Sequence, residues 1–269
     1  EKVMGRQSIE IQIKNTDDYG YNEALKTLRT NLQFCGSNIH TIMFTSSVPD
    51  EGKSDIAFST ASALAQIGKK VLLVDADIRK SVLATRFQLK QKVDGLSQYL
   101  SGQKALADVI YDTNYENLSM VLAGPYAPNP AELLEEELFA ELLAYGRENY
   151  DYVIVDTPPI GSVIDGAIVA RKCDGVVLVI ESGAISYRLE QRVKEQLERS
   201  GCRILGVVLN KVETTPGSYY RKYGKYKKYG KYKKYGRYDG YYRASEYGHY
   251  ESEDIKERDS SYSRLKTGR

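Results

Sequence analysis

Short apolar runs recur along the first part of the chain, each rich in β-branched residues and apolar throughout rather than alternating. Runs of this kind are typical of strands that are buried on both faces. They predict strands at 40–46, 70–75, 118–123, 151–156, 175–181 and 203–210. Apolar residues at helical spacing predict helices at 18–33, 54–67, 80–101, 131–147, 162–172 and 186–200. This alternation predicts an α/β fold, a parallel sheet with helices on both faces and ligands at the carboxyl ends of the strands.

The pattern changes at Thr214. From there the chain consists largely of Pro, Gly, Tyr and charged residues, and tyrosines recur at every third position from Tyr220 to Tyr241. A segment with so few aliphatic residues cannot bury enough apolar surface to fold. We therefore predict a folded domain at 1–213 and a disordered, tyrosine-rich C-terminal tail at 214–269.

Charge is divided between these two parts. The chain has 38 Lys and Arg against 36 Asp and Glu, but from Tyr219 onward the counts are 15 and 7, which leaves 23 and 29 before it. A basic tail on an acidic body is typical of a segment that makes interactions.

The composition also indicates a compartment. The three cysteines, Cys35, Cys173 and Cys202, have no metal-ligand spacing, which favours a reducing environment. The apolar runs are shorter than the roughly 20 residues of a membrane-spanning helix, and no signal peptide is visible. We expect a soluble, cytoplasmic domain. Because the chain begins at Glu1 rather than Met, it could be part of a longer protein with membrane segments upstream.

The loop after the first long strand has the sequence SSVPDEGKS at 46–54. Gly-Lys-Ser at the start of a helix supplies backbone N–H groups for phosphate oxygens, a lysine for the β- and γ-phosphates and a hydroxyl for Mg²⁺. A strict P-loop has glycine at the position of Ser47, so the loop alone could also be an ordinary turn. The predicted nucleotide-binding residues are Ser47, Pro49, Asp50, Glu51, Gly52, Lys53, Ser54 and Asp55.

Carboxylates follow two other predicted strands. Asp75 and Asp77 end one strand, and Asp156 ends another before Thr-Pro-Pro. A single Asp at such a position is often a helix cap or a turn residue. Three of them at the edge of the sheet that carries a phosphate loop indicate a Mg²⁺-nucleotide site, because Mg²⁺ prefers oxygen ligands.

These motifs, in this order, resemble the bacterial tyrosine autokinases of capsule and exopolysaccharide synthesis, the BY-kinases. Those proteins carry a Walker A loop, a Walker A′ motif DxDxR, a Walker B motif DxxP and a tyrosine-rich tail, which correspond here to SSVPDEGKS, VLLVDADIR, VIVDTPP and the repeat. APNPAELL at 127–134 is also similar. The resemblance runs from Glu23 to the tail, and it implies a P-loop NTPase-like fold and an ATP-dependent protein-tyrosine autokinase that regulates polysaccharide synthesis and export.

The resemblance implies roles for single residues, with ATP and Mg²⁺ as cofactors. Lys53 would neutralise the phosphates, Asp75 would accept the phenol proton, and Arg79 would brace the site or a neighbouring subunit. Asn210 would contact the nucleotide base or cap a strand end. The catalytic set is Lys53, Asp75, Asp77 and Asp156, and the metal ligands are Ser54, Asp77 and Asp156.

The tail tyrosines would be the phosphate acceptors, in cis or in trans within a ring-like homo-oligomer. In the family, a motif Glu-x-x-Arg-x-x-Arg in the first helix packs the ring, and it corresponds here to Glu23, Lys26 and Arg29. Lys26 lacks the bidentate fork of Arg. The expected acceptors are Tyr220, Tyr223, Tyr226, Tyr229, Tyr232, Tyr235, Tyr238, Tyr241 and Tyr242.

The resemblance further implies two protein partners, a transmembrane activator of the polysaccharide co-polymerase kind and a tyrosine phosphatase. The kinase would then act at the inner face of the plasma membrane, through that activator or an upstream segment. Two departures lie in the loop: the family often has Gly at Asp50 and a small or hydroxyl residue at Asp55. Two extra carboxylates there would repel a triphosphate.

Two other functions stay open. One is a positioning ATPase similar to ParA and MinD with a basic tail, although that class has KGGxGK in the loop, where this chain has Val48 and Pro49. The other is binding of nucleic acid or another polyanion by the tail, since basic residues neutralise phosphates and aromatic rings stack on bases. Nucleic acid is not the expected partner.

Overall fold

A computed structural model describes residues 7–13, 18–89 and 93–212. The predicted tail at 214–269 and its acceptor tyrosines lie outside the described residues. Within the described ranges, none of the helices has the length and apolar content needed to cross a membrane.

The described residues form one eight-stranded sheet, in the order β1-β4-β5-β3-β6-β2-β7-β8. Neighbouring strands are parallel except β4 and β5, which are antiparallel, so the sheet is mixed rather than wholly parallel. All six predicted strands are present. The strands are β1 (Gln7–Ile9), β2 (Thr41–Ser46), β3 (Val71–Asp75), β4 (Ile110–Thr113), β5 (Leu118–Val121), β6 (Tyr152–Asp156), β7 (Gly175–Glu181) and β8 (Ile204–Asn210).

The helices alternate with strands, as predicted, but the helix predicted at 18–33 follows the short strand β1 and does not precede the whole sheet. Two of the long predicted helices are interrupted. The helix predicted at 80–101 contains α3 and α4, and the one at 131–147 contains α6 and α7. The helices are α1 (Tyr19–Gln33), α2 (Lys53–Ala65), α3 (Leu83–Arg86), α4 (Leu96–Leu100), α5 (Leu106–Val109), α6 (Pro130–Glu135), α7 (Glu137–Asn149), α8 (Asp165–Ala170) and α9 (Tyr187–Arg199).

Gly95 accounts for the interruption before α4. Its backbone is extended, with φ −154° and ψ −167°, and the next residue, Leu96, donates its N–H to the Leu122 carbonyl at 2.7 Å. A Cβ atom at Gly95 would lie 2.3 Å from the backbone nitrogen of Gly124. The two backbones approach so closely that only glycine fits, and the chain crosses there in extended form.

Lys172 stabilises the junction between α6 and α7. Its Nζ donates to the carbonyl oxygens of Leu134, Glu135 and Glu136 at 3.0, 2.8 and 3.0 Å. The last carbonyls of a helix have no partner within the helix, so a basic side chain supplies one. Burial lowers the pKa of Lys172, and the nearby Glu135 and Glu136 oppose that shift.

The core lies on both faces of the sheet, as the uniformly apolar strands require. In the central strand β6, Val153 and Val155 pack into the apolar cluster on one face. Ile154, between them, packs into the cluster on the other face. Because successive side chains of a strand point to opposite faces, a strand covered on both sides is apolar at every position.

We predict that Gly95→Ala lowers the free energy of unfolding by about 2–3 kcal/mol, because the added methyl forces the two backbones apart. Urea unfolding of the purified protein measures it. Gly206→Ala, in β8, is the matched control, since a Cβ atom there meets nothing within 4 Å. Equal effects of the two substitutions would contradict the close approach at Gly95.

Candidate active site

Three adjacent strands bring the predicted motifs together. Strand β6 pairs in parallel with β3 on one side and with β2 on the other, with Asp156 opposite Asp75 and Phe44. The carboxyl ends of parallel strands meet at one edge of a sheet, so the phosphate loop after β2 and the carboxylates of β3 and β6 share that edge. Thr157 secures this register, since its Oγ1 donates to the Phe44 carbonyl at 3.0 Å.

The Lys53 ammonium lies among the predicted metal ligands. Its Nζ is 3.0 Å from Ser54 Oγ, 3.3 Å from Asp156 Oδ1 and 3.7 Å from Asp77 Oδ2. Two carboxylates and a hydroxyl around one cationic group form a suitable donor set for a hard cation such as Mg²⁺, which usually keeps several waters. Among the described residues no cluster of three or more His, Cys, Asp or Glu could hold a metal ion, so any ion here would rely on such a mixed set.

Charge and burial shift the pKa values of these groups. Burial by itself lowers the pKa of Lys53, but the charges of Asp156, Asp77 and Asp75 outweigh it and raise the pKa above its ordinary value. Burial, assisted by the charge of Asp156, raises the pKa of Asp75 to about 8. Burial also raises the pKa of Asp156, against the opposing effect of Lys53. Lys53 thus stays protonated, while Asp75 holds a proton at neutral pH in the ligand-free protein.

The Glu51 carboxylate organises the phosphate loop from inside. Its side chain is 1% exposed, and it accepts the backbone N–H groups of Ser47 and Val48 at 2.7 and 2.9 Å and that of Glu181 at 3.1 Å. Burial raises the pKa of Glu51, and these hydrogen bonds oppose the rise. The loop therefore carries an internal anion that fixes its first residues to β7. The sequence placed Glu51 in the loop but did not indicate this role.

Two further side chains hold the loop. Ser47, at the position of the P-loop glycine, donates from Oγ to Glu190 Oε2 of α9 at 3.0 Å. Asn210, at the end of β8, donates from Nδ2 to the Glu51 carbonyl at 2.9 Å. Gly52 has φ +88°, and a Cβ atom there would lie 2.2 Å from Asn210 Nδ2. Asn210 thus braces the loop, a contact that neither of its predicted roles included.

The loop after β3 has a buried ion pair of its own. Arg79 Nε and Nη2 donate to Asp165 Oδ2 and Oδ1 at 2.6 and 2.9 Å, and Asp165 is fully buried at the start of α8. A bidentate pair of this kind fixes orientation as well as distance. Arg79 therefore braces the Walker A′ loop against α8, as predicted, and nothing in the sequence singled out Asp165 as its partner.

Comparison with known proteins identifies the family. Residues 40–198 match the family model described as an AAA domain. The tyrosine-protein kinase CpsD of Streptococcus agalactiae is 42% identical over 216 residues, 80% of this chain and 92% of the relative. The tyrosine-protein kinase YwqD of Bacillus subtilis is 38% identical over 205 residues, 76% of this chain and 86% of the relative. The chain belongs to the bacterial tyrosine-protein kinases.

A solved structure agrees with this membership. The crystal structure of the chimerical protein CapA2B2 has a TM-score of 0.70 and 34% identity to the kinase, over 77% of this chain and 95% of that one. The resemblance seen in the motifs is thereby confirmed, and with it the P-loop fold and the enzyme class. The chain is a nucleotide-binding protein-tyrosine kinase.

The two acidic departures in the phosphate loop of the kinase differ in their contacts with basic side chains. Arg86 of α3 forms an ion pair with Asp55, which offsets the negative charge next to Ser54. Asp50 is exposed and has φ +67°, and Lys211 Nζ donates to its carbonyl at 2.5 Å and to Glu181 Oε2 at 2.8 Å. Pro49, beside it, is half-buried. The repulsion expected from Asp55 is therefore offset by Arg86, whereas Lys211 binds the backbone of Asp50 and pairs with Glu181 rather than with the Asp50 carboxylate.

The three residues predicted to pack a ring lie on α1 of the kinase but differ in their surroundings. Lys26 Nζ is 2.7 Å from Glu23 Oε1, and both side chains are exposed. Arg29 instead points to α2, where Nη1 donates to the Ala63 carbonyl at 3.4 Å. Glu23 and Lys26 are thus available at the surface, whereas Arg29 already packs against its own domain.

Asp75 should make the ligand-free kinase less stable as the pH rises. Its pKa is about 8 in the folded protein against an ordinary value of 3.8, so between these values the folded state binds one proton more than the unfolded state. The free energy of unfolding falls with rising pH across that window. We predict that Asp75→Asn, which keeps the shape of the side chain but cannot ionise, removes the contribution of Asp75 to this pH dependence of stability.

Urea unfolding of the metal-free and nucleotide-free protein, between about pH 5 and pH 8, measures the effect. The Asp75→Asn protein should lose less stability over this range than the parent. Parallel pH profiles for the two proteins would show that Asp75 does not hold the extra proton.

Proposed function

We propose that the kinase uses ATP and Mg²⁺ to phosphorylate its own C-terminal tyrosines and thereby regulates capsule or exopolysaccharide synthesis and export. The observation that supports this proposal most directly is a buried cluster at the sheet edge that also carries the phosphate loop. The cluster consists of Lys53, Ser54, Asp77 and Asp156. The tyrosine repeat in the same chain supplies acceptors. Regulation of polysaccharide synthesis rests on the resemblance of the motifs and on the kinase relatives.

Phosphoryl transfer requires mainly positioning and charge stabilisation. The helix α2 begins at Lys53, so its first N–H groups open toward the phosphates, and the Lys53 ammonium would neutralise charge on the transferred group. Ser54, Asp77 and Asp156 would hold Mg²⁺, which when bound stabilises the developing negative charge. The charge of the bound cation would favour the ionised form of Asp75. That carboxylate would accept the phenol proton, since a tyrosine with a pKa near 10 is protonated at neutral pH.

The length of the tail is compatible with transfer within one subunit or between two. A flexible coil spans about 5–6 Å × √n, so the residues from Asn210 to Tyr229 would reach roughly 25 Å. Residues 219–243 carry ten Lys or Arg and one Asp, and each phosphate adds about −1.5 to −2 charges. Multiple phosphorylation would therefore reverse the charge of the tail and release it from an acidic body.

We further propose a ring-like homo-oligomer packed through Glu23, Lys26 and Arg29 of α1. The exposure of Glu23 and Lys26 supports this proposal. The proposal includes two partners. A transmembrane activator would bring the kinase to the inner face of the plasma membrane, and a phosphatase would remove the phosphates from the tail. A positioning ATPase is less well supported, because the relatives are named tyrosine kinases. The loop also has Val48 and Pro49 in place of the first and second residues of KGGxGK.

We predict that the chain, incubated with ATP and Mg²⁺, gains a ladder of phosphates on Tyr220–Tyr242 and that Lys53→Met abolishes it. Loss of the ammonium removes the charge that stabilises the transferred group. Intact mass followed by peptide mapping measures the product. Lys104→Met is the matched control, since Lys104 pairs with Asp94 at the surface, and it should autophosphorylate like the parent. If the bare chain is silent, an activator segment is fused to it. ATP hydrolysis without phosphotyrosine even then would refute the autokinase and favour the positioning ATPase.

We predict that the unphosphorylated chain sediments as an oligomer and that phosphorylation or Glu23→Ala converts it to the 30.3 kDa monomer. Phosphorylation reverses the charge of the tail, and Glu23→Ala removes one partner of the proposed contact. Sedimentation velocity distinguishes the two states. Glu198→Ala, which breaks a comparable exposed pair with Lys194 on α9, should leave the oligomer intact. Identical sedimentation of phosphorylated and unphosphorylated protein would refute the model.

A further inference from the structure

An open cleft of about 740 Å³ adjoins the candidate active site. One wall is the Walker A′ loop with Asp77 and Ser81 followed by α3, and the other is the segment 122–126 after β5. Tyr126 lines it and is 61% exposed. The volume falls within the usual range of ligand pockets, so the cleft has room for a side chain together with its neighbours in an extended peptide.

Asp75 is not among the residues that line this cleft. Its side chain is fully buried, with Oδ1 accepting the Asp77 N–H at 3.2 Å. Ser81 is half-buried, lines the cleft, and donates from Oγ to Asp75 Oδ2. A group that enters the cleft would therefore meet the Ser81 hydroxyl before it could reach the Asp75 carboxylate.

Asp77, the acidic residue among those that line the cleft, is already engaged on both oxygens. Asp77 Oδ1 accepts the Lys80 N–H at 3.0 Å, and Oδ2 faces the Lys53 ammonium at 3.7 Å. Ser81 Oγ keeps acceptor capacity, because a hydroxyl has two lone pairs. One of these receives the Leu83 N–H, at a long 3.3 Å. The Ser81 hydroxyl can therefore accept a proton from the cleft while it donates to Asp75.

We propose that Ser81 is a catalytic residue that binds the phenol of the acceptor tyrosine and links it to Asp75. This inference rests on the proposed autokinase function. The occupant of the cleft is a tyrosine of the tail with its flanking residues, since the described chain ends at Val212 and 57 residues follow it. Ser81 lies outside the Walker A, Walker A′ and Walker B motifs, so the proposal assigns a catalytic role to a residue that none of these motifs contains.

The phenol oxygen forms a bond to the γ-phosphorus of ATP while the bond from that phosphorus to the β,γ-bridging oxygen breaks, with its electron pair leaving on ADP. The phenol proton passes to Ser81 Oγ as the Ser81 proton passes to an ionised Asp75 carboxylate. Ser81 ends the step unchanged, and the products are phosphotyrosine, ADP and a protonated Asp75.

The test measures two rates in the same samples of the full-length chain with ATP and Mg²⁺: phosphotyrosine formation, and release of inorganic phosphate by transfer to water. Ser81→Ala should slow phosphotyrosine formation by about 10²-fold, a typical contribution of general acid–base catalysis, and leave hydrolysis nearly unchanged. Ser81→Thr, which keeps the hydroxyl, should restore most of the rate. Binding of a fluorescent ADP analogue should be unaffected in all variants.

Ser119→Ala is the matched control. Ser119 Oγ donates to Asp112 Oδ1 at 3.0 Å between β5 and β4, so this variant also removes a Ser–Asp hydrogen bond, but away from the cleft. Its two rates should equal those of the parent. The ratio of tyrosine to water transfer distinguishes the proposed role from a structural one, because a distorted loop would slow both reactions together.

Four results would overturn the inference. An unchanged rate of tyrosine transfer in Ser81→Ala would show that the hydroxyl takes no part. An equal loss of both rates, or no rescue by Ser81→Thr, would assign Ser81 to the structure of the loop. Absence of phosphotyrosine in the parent would instead refute the proposed function, and with it this inference.

Discussion

Burial of three carboxylates around one ammonium group is the constraint on which the rest of the site depends. Asp75 and Asp156 are almost completely inaccessible to solvent, and one lysine cannot balance Asp77 as well. Buried charge is costly unless it is paired or neutralised. Here Lys53 pairs with Asp77 and Asp156, and Asp75 keeps a proton. A divalent cation bound at this site would offset the negative charge and favour the ionised form of Asp75, the form that can accept a phenol proton.

Such a cluster requires that the surrounding loops keep a fixed conformation. Hydrogen bonds and ion pairs made by buried side chains hold these loops in place. The Glu51 carboxylate holds the first N–H groups of the phosphate loop, and Asn210 holds a carbonyl of the same loop from β8. The bidentate pair of Arg79 and Asp165 holds the Walker A′ loop against α8. Two of these anchors, Asn210 of β8 and Asp165 of α8, lie outside the three motifs, so elements beyond the motifs help to position the chemistry.

The sequence predicted the six main strands and the positions of Lys53, Asp75 and Asp156 because their signals are local. A strand covered on both faces is apolar at every position, and a phosphate loop has a characteristic order of residues. The short strands β1 and β4, of three and four residues, have no such signal. The break at Gly95 depends on the backbone of Gly124, 29 residues later, and no local pattern encodes it.

The sequence by itself determined the class of fold, the family and the residue types of the nucleotide site, because these follow from periodicity and from motifs of a few adjacent residues. Only the tertiary structure decided which charges meet. Asp165 is the partner of Arg79, Glu190 that of Ser47, and Ser81 separates Asp75 from the cleft. Contacts between residues far apart in the chain depend on strand register and helix packing, and these arise only when the whole sheet is assembled.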